Sequence, residues 1–298
     1  MAKREQLLYV ASEWQYRTGV AAFRISPHGE LTALSPFFTA WWKGARGLTA
    51  DVSGNGLILY GSYPSCVGFV IGPHGHLTNQ YMPSRTNAFV ARHPNKPFAY
   101  RVGAQGIYQY RLTTNGKMVP LSPAVAPLTN GVQSIAVDPQ GRALYGTGTG
   151  VRQYKINPKG TLEPFRPFLV DNLNIDTLEI TAHPSGRYVY VQTSHERNVS
   201  KLAVLRDGRL GQETGVLPKA SDNLFLFGDL VFDNSGKFAF AIENPHPGGE
   251  NPNDLPIVRN IVSRFMVLPN GILHRANPPS IDSQRFDINP TALLVHSL

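Results

Sequence analysis

The stretch Ser134-Ile-Ala-Val-Asp-Pro-Gln-Gly-Arg-Ala-Leu-Tyr-Gly146, followed by Val151-Arg-Gln-Tyr-Lys-Ile-Asn-Pro-Lys-Gly-Thr-Leu162, decides the fold. It reads as strand, Asp-Pro-x-Gly turn, strand, loop, strand, Pro-x-Gly turn, strand. Alternating β-branched and aromatic residues mark the strands, and the Pro and Gly clusters mark the turns. The turn glycine Gly160 recurs as Gly29, Gly75, Gly116, Gly208 and Gly271. Six residues before each stands Phe23, Phe69, Tyr110, Tyr154, Leu202 or Phe265, and two residues after each stands Leu31, Leu77, Met118, Leu162, Leu210 or Leu273. The second strand carries Tyr9, Tyr60, Tyr100, Tyr145, Tyr190 and Phe240 in matching places. A glycine that accepts positive φ, flanked by large apolar residues, is a hairpin turn between core-facing strands.

Successive turn glycines lie 46, 41, 44, 48 and 63 residues apart. A period in the forties with four strands per unit predicts a β-propeller, because a helical repeat would place apolar residues at i, i+3, i+4 and i+7. The long last spacing holds an insertion over Asn244–Asn260, rich in Pro, Gly and Asn. First strands are read at Gly47–Asp51, Phe89–His93, Ser134–Asp138, Glu179–His183 and Asp229–Asp233. The first unit begins at its second strand, Leu7–Val10, and the C-terminal Ala292–His296 supplies the missing one. The expectation is an all-β, six-bladed propeller of four-stranded antiparallel blades. Residues 1–298 form one domain, closed by the C-terminal strand joining the N-terminal blade.

Composition agrees with this class. Gly 28 and Pro 24 suit many tight turns, and 42% hydrophobic residues suffice for a core. No run approaches a membrane span. The net charge is +8, but the basic residues are dispersed, with no polybasic run or nucleic-acid module, so nucleic acid is an unlikely partner. Cys66 is the single cysteine, which excludes an internal disulfide. The start lacks the apolar stretch of a signal peptide and reads as cytoplasmic. A cleaved signal replaced by Met would look the same, so secretion stays open.

First strands should line a central channel, with the loops entering them and those joining second to third strands at one mouth. Glu179 and Asp229 both occupy the place of Ser134, and paired carboxylates can share a proton or do acid/base work. They are the catalytic candidates, against the alternative of two solvated channel residues. Ligand-binding candidates at the mouth are Trp41 and Trp42, in an aromatic loop with Phe37 and Phe38, and the basic Arg46, Arg85, Arg101 and Arg197. His195 and Glu243, in strand-linking loops, complete the set. His93, His183 and His296 replace Asp138 in equivalent turns, which argues for a turn role and against a metal cluster. No metal or cofactor is implied.

The units Ile135–Arg142 with Tyr145, and Ala182-His-Pro-Ser-Gly-Arg-Tyr-Val-Tyr-Val191, resemble the lactonase-like propellers, which include phosphogluconolactonases and fungal carboxymuconate-lactonising enzymes. The resemblance implies a propeller, usually of seven blades, and a lactone or sugar-acid substrate. It implies no catalytic residue here. The family's Pro-His-x-His segment is Asn130-Gly-Val-Gln133 in this chain, its Gly-Pro-Arg-His is Asp176-Thr-Leu-Glu179, and the Glu of its Asn-Glu-Leu is Ser194. Two readings follow. One is a binding propeller taking a small molecule or a protein partner at the channel mouth. The alternative is a lactonase-like hydrolase or isomerase.

Overall fold

The computed structural model describes residues 5–14, 17–41, 47–50, 56–60, 66–81, 90–114, 117–129, 131–170, 177–193, 199–216, 224–245, 260–281 and 290–298. The chain is an all-β propeller of four-stranded antiparallel blades. It divides into two compact units, residues 1–88 with 219–298, and residues 89–218.

The first unit opens with β1 (Gln6–Trp14), β2 (Arg17–Ile25) and β3 (Leu31–Trp41), then β4 (Gly47–Ala50), β5 (Gly56–Tyr60), β6 (Cys66–Ile71) and β7 (Leu77–Tyr81). The second unit holds β8 (Val90–Arg92), β9 (Phe98–Gly103), β10 (Gly106–Leu112) and β11 (Met118–Val125). It continues with β12 (Ile135–Val137), β13 (Ala143–Gly148), β14 (Gly150–Ile156) and β15 (Leu162–Val170), then β16 (Thr177–Ala182), β17 (Tyr188–Thr193), β18 (Val199–Val204) and β19 (Leu210–Val216). The chain returns to the first unit with β20 (Leu224–Phe232), β21 (Phe238–Pro245), β22 (Ile261–Val267), β23 (Leu273–Ile281) and β24 (Pro290–Ser297). Five sheets are made of four consecutive strands, and a further sheet has the order β24-β1-β2-β3. There β24 pairs with β1 in the register Leu7↔His296 and Tyr9↔Leu294.

Burial falls from the second strand outward. Every residue of β13 is buried, whereas in β15 only Leu162 is buried and the rest are half-buried or exposed. A strand sandwiched between neighbouring sheets has both faces dry, so it carries residues such as Leu144 and Tyr145, both fully buried. The outer strands are sheet edges, and prolines blunt them: Pro120 and Pro123 in β11, Pro164 and Pro167 in β15.

Neighbouring sheets are joined at the turn glycine. Tyr9 Oη donates to the Gly75 carbonyl at 2.8 Å, Tyr100 to Gly160 at 2.8 Å, and Tyr145 to Gly208 at 2.7 Å. Burial pushes all three phenols far up, so they remain donors. Two residues before each aromatic, a side chain fills the space over the glycine. A Cβ on Gly75 would stand 2.1 Å from Leu7, and one on Gly160 would stand 2.4 Å from Phe98. On Gly29, at the join with the sheet of β20–β23, a Cβ would stand 2.4 Å from Phe238. These glycines adopt φ of +74° to +85°, so both backbone and packing demand glycine. The sequence alignment needs one correction here. Register places Ile58, 1% exposed, at the second-strand core position of the β4–β7 sheet, and Tyr60 falls two residues later opposite Gly47. Gly116 lies outside the described residues.

Two further devices stitch adjacent sheets. Gln109 donates to the Pro123 carbonyl of its own sheet at 2.9 Å and accepts the Leu162 N–H of the next at 2.6 Å; Gln153 does the same with Pro167 and Leu210. In the turns, neutral His93 accepts the N–H groups of Asn95 and Lys96 on Nδ1, and its Nε2 lies 3.2 Å from the Gly141 carbonyl. His183 Nδ1 accepts from Ser185 N in the same way, which is the turn role read from the repeat.

Ala292 and Leu293 of β24, 1% and 2% exposed, enter the cores on either side of their sheet. Leu293→Ala is expected to cost about 2–5 kcal/mol in urea unfolding. Deleting residues 291–298 should abolish cooperative thermal unfolding, because it bares the β1 edge. A truncated protein melting like the parent would contradict the role of β24.

Candidate functional site

The two catalytic candidates lie in first strands, Glu179 in β16 and Asp229 in β20. Ile135 pairs with Gly146, Ile180 with Val191 and Leu230 with Ala241, each one residue from the second-strand aromatic. Register therefore confirms that Ser134, Glu179 and Asp229 hold one position in three sheets. In the second unit, Ser134 Oγ donates to Glu179 Oε2 at 2.8 Å, joining two adjacent sheets. Ser134 is itself clamped. Its N–H donates to Thr147 Oγ1 at 3.1 Å, its carbonyl accepts from Thr147 N at 2.9 Å, and Thr147 is fully buried. Glu179 reaches solvent, yet the protein crowding around it raises its carboxyl above the ordinary value, with the Ser134 hydrogen bond opposing. Among the described residues no hydrogen bond to Oε1 is seen, so the pair presents a held carboxylate with one open oxygen beside a hydroxyl.

Asp229 lies in the first unit, where it accepts the Leu293 N–H at 2.7 Å and ties β20 to β24. Each of the two catalytic candidates thus grips the first strand of a neighbouring sheet.

The mouth candidates are distributed differently. Trp41, with Phe37 and Phe38, lies in β3 and not in a loop, because the outer strand runs on to Trp41 opposite Thr18. Arg101 lies in β9 opposite Tyr108, its guanidinium 5.1 Å from that ring and Nη2 3.4 Å from Tyr110 Oη. Its Nε is buried without a partner among the described residues. Glu243 belongs to β21 and not to a loop. Its carboxylate is fully covered and doubly bonded by Arg275, at 2.7 and 2.8 Å, with Ser263 donating as well. This covered carboxylate is neutralised by the guanidinium, and its hydrogen bonds link β21 to β22 and β23. Trp42, Arg46, Arg85, His195 and Arg197 lie outside the described residues.

The Ser134–Thr147 clamp and the Glu243–Arg275 pair were not read from sequence, since both depend on cross-strand register. The Gln clamp left a signal, a Gln seven residues before the turn glycine in two successive repeats.

No family model matches the chain, and no curated protein sequence matches it. Solved structures do. A provisionally assigned 6-phosphogluconolactonase from Bacteroides uniformis is similar with 13% identity and a TM-score of 0.57, over 98% of this chain and 100% of that one. The fold is that of a lactonase-like propeller. The periplasmic gluconolactonase of Pseudomonas aeruginosa is similar with 16% identity and a TM-score of 0.54, over 91% of this chain and 82% of that one. A protein of unknown function from Desulfotomaculum acetoxidans is similar with 11% identity and a TM-score of 0.53, over 97% and 89%. At such identity the likeness concerns the fold, which hosts more than one function. Among the described residues no helix is long and apolar enough to cross a membrane.

The raised Glu179 carboxyl has a stability consequence. A carboxyl whose folded pKa exceeds its unfolded value favours folding while protonated, and that contribution is lost as pH rises through the folded pKa. Glu179→Gln, which keeps an acceptor for Ser134, is expected to be more stable than the parent at pH 7. The gap should close below about pH 4, where the unfolded carboxyl is protonated too. Urea titrations at both pH values check this, and a gap independent of pH contradicts it.

Proposed function

We propose that the protein is a hydrolase of lactones of sugar acids, with Glu179 as general base, held by Ser134. The observation that carries the reading is the clamped, solvent-reached carboxyl of raised pKa at the start of a first strand. The full-length fold likeness to gluconolactonases supports the substrate class. Glu179 Oε1 would take a proton from water attacking the lactone carbonyl. The ring C–O bond then breaks, and the alkoxide takes the proton back from the Glu179 carboxylic acid. Ser134 orients the carboxylate through Oε2, leaving Oε1 to the water. Arg101, in the same unit as Glu179, would hold an anionic substrate. Asp229, His195 and Glu243 have no step in this scheme.

This reading includes six blades in one ring, closed where β24 pairs with β1. In its support, the seating of a second-strand side chain over the next turn glycine recurs at Gly29, Gly75, Gly160 and Gly208. A second reading, binding without turnover, draws on the absence of histidine from Asn130–Gln133 and Asp176–Glu179.

The test is proton release from glucono-δ-lactone and slower-opening γ-lactones, above the uncatalysed rate. Glu179→Gln is expected to lower kcat/KM by roughly 10²–10⁴, and Ser134→Ala by less. A parent protein that binds sugar acids in calorimetry yet opens no lactone establishes the second reading. A Glu179→Gln variant as active as the parent removes Glu179 from the mechanism.

A further inference from the structure

The net charge is unevenly placed. Residues 89–218 carry 15 of the 28 Lys+Arg and 8 of the 20 Asp+Glu, leaving the rest of the chain close to neutral. Within this unit the excess gathers at one end of the sheets. The Leu112 N–H donates to the Pro97 carbonyl, Ile156 to Arg142, and Val204 to Arg187. These bonds set the third-to-fourth strand turns beside the first-to-second strand turns, at the end opposite Ser134 and Glu179. The turns of successive sheets also touch, through His93 and Gly141 and through Arg142 Nη1 and the Arg206 carbonyl at 3.0 Å. They form one continuous surface across three sheets.

That surface is basic. The sheet of β8–β11 contributes exposed Arg92, Lys96, Arg111 and Lys117. The next contributes exposed Lys155 and Lys159, and the third exposed Arg187 and Arg206. None of these eight side chains has an ion-pair partner among the described residues. The acids present are mostly engaged: Asp138 is buried under Arg142 and Asp207 is bonded by Arg209, leaving Glu163, opposite Lys155, as an exposed carboxylate.

The repeat does not require these charges. Five residues before the turn glycine, where Arg111 and Lys155 stand, the first unit has Val70 and Met266, both exposed, and Arg24, paired to Glu5. One residue after the glycine, where Lys117 stands, it has Glu30, His76 and Ile272. The same fold is built there without the basic face, so folding does not explain it.

We propose that this turn face of residues 89–218 docks on an anionic lipid surface. The occupant follows from chemistry. Four of the eight are Lys, a residue depleted at protein interfaces, and among the described residues the face exposes no aromatic ring to anchor a protein partner. A single-stranded nucleic acid needs exposed rings to stack on, and among the described residues the largest exposed apolar side chain of these turns is Leu205. A duplex is a narrow rod that would meet only some of the eight charges, and no element here enters a groove. A lipid headgroup plane meets all of them together, and Leu205 can dip into it.

The test is sedimentation of the full chain with phosphatidylcholine vesicles, with and without roughly 30% phosphatidylserine. Binding is expected to the anionic vesicles alone at about 50 mM salt, and to be lost at about 0.5 M. Each basic residue removed should lower partitioning about fivefold, so Lys155→Ala/Lys159→Ala/Arg206→Ala should lower it about a hundredfold. Lys237→Ala, on the equivalent turn of the first unit, should leave it unchanged. Thermal melts establish that both variants fold. No binding to anionic vesicles at low salt overturns the proposal, as does a triple variant that binds like the parent. Retention of duplex DNA or poly-glutamate without vesicle binding overturns it too.

Discussion

The structure depends on one contact: a turn glycine with positive φ, pressed against the second strand of the preceding sheet. A four-stranded sheet cannot bury its own faces, so its core exists only between sheets. At Gly75, Gly160 and Gly208 the contact has two parts, a side chain lying over the missing Cβ and a tyrosine hydroxyl donating to the glycine carbonyl. The hydroxyl satisfies a carbonyl that the close packing shuts off from water, and the absent Cβ allows the approach. At Gly29 the hydroxyl is missing because Phe240 stands where the tyrosines do, and Phe238 supplies packing alone.

This seating fixes what the inner strands can do. With the sheets held at the turns, the starts of the first strands at the other end are brought close enough for Ser134 to reach Glu179 and for Asp229 to reach Leu293. Glu179 and Asp229 are therefore structural links before they are chemical candidates. Glu179 is the more exposed of the two, and among the described residues no hydrogen bond to its Oε1 is seen. One end of the second unit carries this carboxyl, and the other carries the basic turns.

Most of this architecture was legible because the repeat writes it out. The glycine, the apolar residues six before and two after it, and the second-strand aromatic mark the interfaces directly. The C-terminal strand was readable from a missing first strand at the start of the chain, and β24 pairs with β1 accordingly. Tyr60 misled because an aromatic two residues off register looks the same in one dimension; only the pairing of Leu57 with Phe69 reveals Ile58 as the core residue. Glu243 misled for a related reason. Its partner Arg275 lies two strands away, so nothing local announces an interior ion pair. Trp41 reads as part of a loop because the outer strands, interrupted by proline, lack a clean alternation in sequence.

The most direct measurement compares Gly160→Ala with Gly131→Ala in urea unfolding. Both glycines have positive φ, +85° and +73°, so both substitutions incur the same backbone cost of about 1–2 kcal/mol. They differ in surroundings: a Cβ on Gly131 meets nothing within 4 Å, whereas one on Gly160 stands 2.4 Å from Phe98. If the seated turn glycine holds the sheets together, Gly160→Ala should cost at least about 2 kcal/mol more than Gly131→Ala, since overpacking adds to backbone strain. Equal costs would show that the contact between sheets tolerates a side chain, and would contradict the account.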